Sequence, residues 1–401
     1  MSLRARLLHL ERSGCLEVNP ARKAAPKRSL EALLPGEAVE NKFGAFYRHQ
    51  QRVELATPYG PRSLLGALTL PCAELVSLYA SLEGICPERV LYLDTETTGL
   101  SGGSGTYAFM VGVAWFDQGE LRLEQLIMRE HAEEKALLEY LRPLLEDTSG
   151  LVTFNGKSFD AQLLQTRFMM NRLRVCFEDM PHLDLLHLCR RIWGAGLVDC
   201  RLETLEEAIL GLPRHDDVPG WMVPQIYFRF LRGGDARGLA GVAEHNRRDL
   251  MSMVGLVSVL SHHLSDPLAF REPIEDVGLA RLYEDLGQEE LARELAERAL
   301  DWPLPRPARR ACMLRLARLR RRAGDRDGAA ALWRDVLKEH PEDAEACEEL
   351  AKHLEHQRGD YQLALRLVER TLRTARLTPG RRRSFLSRRE RLRRRLEGSG
   401  A

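Results

Sequence analysis

The feature that most constrains the fold of this 401-residue chain is a short apolar run that ends on acid. Val90-Leu91-Tyr92-Leu93 reads as a buried strand, and Asp94-Thr95-Glu96 follows without a break. Successive strand residues point to opposite faces, so Asp94 and Glu96 share one face and Thr95 takes the other. Two adjacent carboxylates repel and raise each other's pKa unless a cation lies between them. Oxygen donors of this kind suit hard divalent ions, Mg²⁺ or Mn²⁺. Taken alone, the same pattern describes a solvated strand end.

The surroundings extend this strand into an α/β pattern. Residues 107–116 and 121–128 read as strands with a turn at Gly119, after a Gly/Ser loop at 101–105. Leu137, Leu138, Leu141, Leu144 and Leu145 carry helical spacing. Residues 150–154 form a further apolar strand, and helices are expected over 158–171, 183–193, 203–210 and 239–264. The reading is a mixed central sheet flanked by helices over 89–270. Residues 1–88 are read as an N-terminal extension, partly flexible, with an exposed basic linker near 19–28 and a short helix near 73–82.

Further acids stand in the same region. In Asn155-Gly156-Lys157-Ser158-Phe159-Asp160, Asp160 falls in the first turn of a helix with Ser158 as its N-cap. The helix dipole favours an aspartate there for structural reasons as well. His245 and Asp249 lie four apart on one helix face. Val242, Ser252 and Met253 share that face, which is therefore largely core-facing. A buried aspartate needs a partner: Arg247 or Arg248 reaching round, or a metal ion. A histidine in such a place is commonly a hydrogen-bonded core residue.

Taken together the pieces carry more. Leu93-Asp94-Thr95-Glu96-Thr97-Thr98-Gly99-Leu100 is followed by Gly103, Gly105-Thr106-Tyr107 and Thr153-Phe154-Asn155-Gly156-Lys157-Ser158-Phe159-Asp160. Next come Pro181-His182-Leu183-Asp184-Leu185-Leu186-His187, Asp217-Val218-Pro219-Gly220 and Glu244-His245-Asn246-Arg247-Arg248-Asp249. This series resembles the YprB-like family of RNase H-like proteins, within the DEDD (DnaQ-like) 3′–5′ exonuclease superfamily. The resemblance spans roughly residues 35–265. It implies that Asp94, Glu96, Asp160 and Asp249 are metal ligands holding two divalent ions, Mg²⁺ or Mn²⁺, which activate water and stabilise the leaving oxygen. It also implies that Thr97, Thr98, Gly99 and Leu100 hold the terminal nucleotide, and that Asn155 and Lys157 contact phosphate or substrate. The superfamily ends on Tyr-x-x-x-Asp or His-x-x-x-x-Asp, whereas this chain has His-x-x-x-Asp. His245 is then the group expected to orient or deprotonate the water. Asp184 is read as a structural hydrogen-bonding residue, and Tyr107 as a core aromatic.

Beyond residue 270 the character changes. Gly287, Gly324 and Gly359 recur at intervals of 37 and 35 residues, each preceded by a leucine (Leu282, Leu319, Leu354) and followed by an alanine (Ala292, Ala329, Ala364) at a distance of five. Residues 271–378 thus resemble tetratricopeptide-like repeats, stacked helical pairs that present a surface for a protein partner; a plain helical bundle is the alternative. Residues 301–401 carry 26 Lys/Arg against 15 Asp/Glu, so a net +11 there opposes −10 in the remainder. Nine arginines lie in the 379–401 tail, which fits either contact with phosphates or an end-cap on the repeats.

Eight cysteines contain no C-x-x-C pair, which argues against a structural zinc site or a disulfide scaffold. No apolar stretch is long enough for a membrane span or a signal peptide, so a cytoplasmic location is expected. The expected activity is a divalent-metal-dependent nuclease, a 3′–5′ exonuclease on single-stranded or frayed DNA or RNA ends. The alternative is a catalytically weak nucleic-acid-binding module whose repeats recruit a protein.

Overall fold

A computed structural model describes residues 27–99, 105–215, 217–269 and 273–398. Its central element is a seven-stranded sheet in the order β1-β2-β7-β6-β5-β8-β9. The strands are β1 (Gly36–Asn41), β2 (Gly44–Glu54), β5 (Val90–Thr97), β6 (Ala108–Asp117), β7 (Glu120–Ile127), β8 (Gly150–Thr153) and β9 (His182–Asp184). A separate two-stranded ribbon joins β3 (Pro58–Tyr59) and β4 (Arg62–Ser63). The neighbours β1–β2, β2–β7, β7–β6 and β6–β5 pair antiparallel, whereas β5–β8 and β8–β9 are parallel. The parallel strands β8 and β9 are buried throughout, as strands covered on both faces must be. β6 turns into β7 through Gln118 and Gly119, both at positive φ, the conformation of a two-residue hairpin turn.

The helices of eight residues or more are α1 (Glu134–Asp147), α2 (Asp160–Met170), α3 (Leu185–Ile192), α4 (Val223–Gly233) and α5 (Arg237–Ser265) around the sheet. They continue as α6 (Pro273–Asp285), α7 (Glu289–Leu300), α8 (Arg306–Arg322), α9 (Arg326–Glu339), α10 (Ala344–His353), α11 (Tyr361–Thr374) and α12 (Pro379–Gly398). The alternation of β5 sorts its side chains between two cores. Leu91 and Leu93 pack with α1, α2, α4 and the start of α5; Val90 and Tyr92 pack with α3, the rest of α5 and the first repeat helices. Asp94 and Glu96 continue the second of these faces, under α5.

The strands expected at 107–116, 121–128 and 150–154 are present within a residue or two, and the one read from Val90–Leu93 runs on through the acids to Thr97. The region before residue 89 differs from expectation. β1 and β2 form a hairpin that pairs with β7, so residues 36–54 extend the sheet and are not part of an appended extension. Their alternation is weak because β1 is largely exposed. The expected helix at 203–210 is a helical turn at Leu202–Leu205 that widens into a π-turn over Glu206–Leu210. The segment at 183–193 begins instead with the short strand β9.

Beyond the sheet domain, α6/α7, α8/α9 and α10/α11 form helical pairs. Gly287, Gly324 and Gly359 stand between the partners at positive φ, a conformation that glycine adopts without steric penalty. This explains the sequence period. The paired alanines are fully buried where the helices cross. The first pair is not a detached module: its core is continuous with that of the sheet domain, and Glu275 joins Trp193 Nε1 (2.8 Å) to His263 Nε2 (2.9 Å). The arginine-rich end forms α12 and closes the stack. Phe385 and Leu392 are buried, Arg388 and Arg391 both engage Glu355, and Arg393 engages Glu369 at 2.6 Å. The tail therefore caps the repeats, while Arg382, Arg383 and Arg394 on it stay exposed. Among the described residues no helix is long and apolar enough to cross a membrane.

Candidate active site

The C-terminal end of β5 gathers the acids singled out in the sequence. Asp94 and Glu96 face α5, from which His245 and Asp249 descend. Asp160 opens α2 and approaches from the other side of the strand, where the Thr95 hydroxyl donates to its carboxylate. A bulge between Glu96 and Thr97 ends regular pairing there, a distortion that re-aims side chains at strand ends. Ser158 does not cap α2; the helix starts after Phe159 without a side-chain cap.

Each carboxylate has a different neighbour. Asp94 Oδ2 accepts from Asn246 Nδ2 at 2.7 Å. Asp249 Oδ1 accepts from Arg214 Nη2 at 2.5 Å. Neither Arg247 nor Arg248 reaches Asp249, because both turn to Glu244 (2.7 and 3.0 Å). Arg214 comes from the loop after the π-turn and also bonds Glu206 at 2.6 Å and Asp217 Oδ2 at 2.8 Å. His245 Nδ1 lies 2.9 Å from both oxygens of Asp217, which leaves Nε2 pointing toward Asp249 Oδ2, 3.7 Å away. A carboxylate on one ring nitrogen fixes the tautomer and orientation of the other. Arg214, Glu206 and the role of Asp217 were not found from the sequence, since no local spacing links them to Asp249.

The electrostatics agree with this crowding. Burial pushes the pKa of Asp94 well up, and Asp249, Asp160 and Glu96 add to the rise. Glu96 is pushed up to about 8 by burial, with Asp249, Asp160 and Asp217 adding to the rise and only His245 opposing it strongly. Asp160 is pushed up to about 6, chiefly by burial. For His245, burial pulls the pKa down, but the carboxylates of Asp249, Glu96 and Asp217 outweigh it and hold it above the ordinary value. Asp217 is held low by Arg214 and His245 against its burial.

Whether this set suits a divalent ion can be judged from its donors. Glu96 Oε1 is buried with no hydrogen-bond partner, which is costly unless a cation satisfies it. The remaining donors are carboxylate oxygens, the hard ligands such ions prefer. Among the described residues, however, no three His, Cys, Asp or Glu side chains are already drawn together at ion-binding distance. Asn246, Thr95 and Arg214 each hold one carboxylate apart from the others. The chemistry fits a hard cation, and the neighbouring side chains must give up or share bonds to admit it.

Beside Asp94 and Asp160 opens a cavity of about 520 Å³, lined also by Thr97, Gly99, Thr106, Asn155 and Phe159. Of the residues expected to contact substrate, Thr97, Gly99 and Asn155 line this cavity. Thr98 does not line the cavity: its hydroxyl accepts from the Tyr107 amide at 2.9 Å and locks the strand end. Lys157 lines an adjoining cavity of about 340 Å³ with His182 and Gln165. Leu100 lies outside the described residues. Asp184 is structural, accepting from the amides of Asn155 (2.8 Å), Lys157 (3.2 Å) and Leu186 (3.1 Å). Tyr107 is packed between His131 and the Arg167 guanidinium.

An open mixed sheet with acids at the end of an inner strand, followed by stacked helical pairs, defines an RNase H-like protein carrying tetratricopeptide repeats. Family models agree: the RNase_H superfamily matches residues 91–261 and the tetratricopeptide repeat matches 311–343. The chain is 30% identical over 296 residues to the protein described as "Uncharacterized protein YprB" of Bacillus subtilis (strain 168), covering 73% of this chain and 71% of that protein. It belongs to the YprB family. Among solved structures, the family B DNA polymerase of the hyperthermophilic archaeon Pyrobaculum calidifontis matches with a TM-score of 0.35 and 16% identity, over 53% of this chain and 29% of the polymerase.

Proposed function

We propose that this chain is a divalent-metal-dependent nuclease, acting as a 3′–5′ exonuclease on single-stranded or frayed nucleic-acid ends. The observation that carries the reading is the group of carboxylates around the unpartnered, buried Glu96 Oε1, next to an open cavity. In this reading Asp94, Glu96, Asp160 and Asp249 hold Mg²⁺ or Mn²⁺, two ions when the site is full. Bound ions of this kind polarise the phosphate and acidify water. Hydrolysis joins a water oxygen to phosphorus and breaks the bond from phosphorus to the 3′ oxygen, and the water's proton needs an acceptor. His245 Nε2 is that acceptor, with Asp217 orienting the ring through Nδ1. Thr97, Gly99 and Asn155 line the space for the terminal nucleotide, and Lys157 supplies positive charge beside it. The repeats over 271–378 serve a protein partner.

End-labelled oligonucleotides incubated with Mg²⁺ or Mn²⁺ test this. Wild type should shorten them stepwise, and Asp94→Ala should lose at least about a hundredfold in rate; equal hydrolysis by the two removes the proposal. One observation favours a second reading, a nucleic-acid-binding module that cuts poorly: Arg214 already occupies Asp249. Salt-sensitive oligonucleotide binding with no metal-dependent cleavage in wild type would select it.

A further inference from the structure

Three strands present a row of directly paired residues across the sheet. Asp94 on β5 is opposite Gly112 on β6, and Gly112 is opposite Gln125 on β7. The middle member has no side chain. Into that gap α5 lowers the amide of Asn246, which is fully buried. Asn246 Oδ1 accepts from Gln125 Nε2 at 2.8 Å, and Asn246 Nδ2 donates to Asp94 Oδ2 at 2.7 Å. Gln125 is itself buried and anchored to the Ala243 carbonyl at 2.6 Å. A Cβ on residue 112 would lie 2.1 Å from Asn246 Oδ1, so the position admits glycine and little else.

We infer that Asn246 is a positioning residue for Asp94, and that Gly112 and Gln125 exist in this row to seat it. The inference rests on the reading of Asp94 as a metal ligand. With an ion bound, Asp94 is an ionised carboxylate and only accepts, so it sets the direction of the whole relay: Asn246 turns its NH₂ toward Asp94, and its carbonyl then needs a donor, which Gln125 supplies. One oxygen of Asp94 is thereby fixed and the other is free for an ion. Two buried amides between sheet and helix are an expensive way to fill space, since apolar side chains would pack there without needing partners. A role in holding the ligand accounts for them. Partners that orient metal ligands typically change metal affinity ten- to a hundredfold when removed.

The test is Mn²⁺ titration of the full chain, with free ion read by electron paramagnetic resonance and folding checked by circular dichroism. Asp94→Asn should abolish tight binding. Asn246→Leu should weaken it about ten- to a hundredfold, and Gly112→Ala, which displaces the amide without touching it chemically, should act in the same direction. Asn246→Ser, which adds no bulk and is too short to bridge, serves if the leucine variant does not fold. A folded Asn246 or Gly112 variant that binds Mn²⁺ within about twofold of wild type, while Asp94→Asn does not bind, overturns the inference and leaves the metal site standing. If wild type binds no Mn²⁺, or Asp94→Asn binds normally, the reading of the site itself fails.

Discussion

Arg214 offers the sharpest test of how this site is held together. Its guanidinium is almost enclosed, at 8% side-chain exposure, and faces Glu206 at 3% and Asp249 at 16%. Arg214→Met keeps much of the aliphatic bulk but removes the charge. Asp217 retains His245, whereas Glu206 is left without its cation and Asp249 keeps only the more distant His245, 3.7 Å away. Removing one partner of a buried ion pair costs about 3–5 kcal/mol, because the stranded charge stays buried. For a domain of this size each kcal/mol is about 2–4 °C of melting temperature, so the variant should melt roughly 6–20 °C below wild type in the presence of a chelator. Two modulations follow from the same reasoning. Mn²⁺ should recover part of the loss, since it replaces the missing positive charge beside Asp249. Lowering the pH to about 5 should also shrink the deficit, as protonation of the stranded carboxylate removes the unpaired charge. Thermal melts followed by circular dichroism measure all three. A drop below about 2 °C, or one indifferent to both pH and Mn²⁺, would refute the view that Arg214 is the internal counter-ion of the cluster.

Three further outcomes are expected. With its pKa raised to about 8, Glu96 stays protonated in the folded, metal-free protein over a range where the unfolded chain has ionised it, so it contributes instability that grows as pH rises from about 4.5 to 8. Metal-free wild type should therefore lose more stability than Glu96→Gln between pH 6 and 8, and parallel curves would contradict this. Asp217 raises the pKa of His245, so Asp217→Asn should lower activity and shift the acid limb of the pH–rate profile to lower pH; an unmoved limb would argue against His245 as the base. In the tail, Arg391→Ala should lower the melting temperature of the repeats, because it leaves the buried Glu355 with Arg388 alone. Replacing the exposed Arg382, Arg383 and Arg394 by Gln should leave melting unchanged and flatten the salt dependence of nucleic-acid binding; an unchanged slope would assign binding to another surface.

Local pattern carried a good part of this structure. The apolar runs before Asp94 and Asn155 marked β5 and β8, because a strand covered on both faces leaves no room for polar residues. The five-residue offsets around Gly287, Gly324 and Gly359 marked the helical pairs, because the turn between them requires positive φ and the crossing requires a small side chain. Period-two and period-four spacing put Asp94 with Glu96 and His245 with Asp249. These inferences need only a window of a few residues.

What the window could not contain was decided by tertiary packing. Two adjacent arginines stand beside Asp249 in sequence, yet its partner is Arg214, 35 positions away, because Glu244 lies within one helical turn of both neighbours. Asn246 reads as an ordinary helix residue until Asp94, 152 positions earlier, and the gap over Gly112 are seen with it. The hairpin at 36–54 was illegible because an exposed edge strand is not required to alternate. The arginines of α12 fitted phosphate contact and an end-cap equally well in the sequence, because Glu355 and Glu369, which pair with Arg388, Arg391 and Arg393, lie 24 to 36 positions away. Sequence spacing determined which side chains share a face; only the assembled sheet, long helix and repeats decided which charges meet, since burial makes each carboxylate take whichever cation or donor the fold brings within reach.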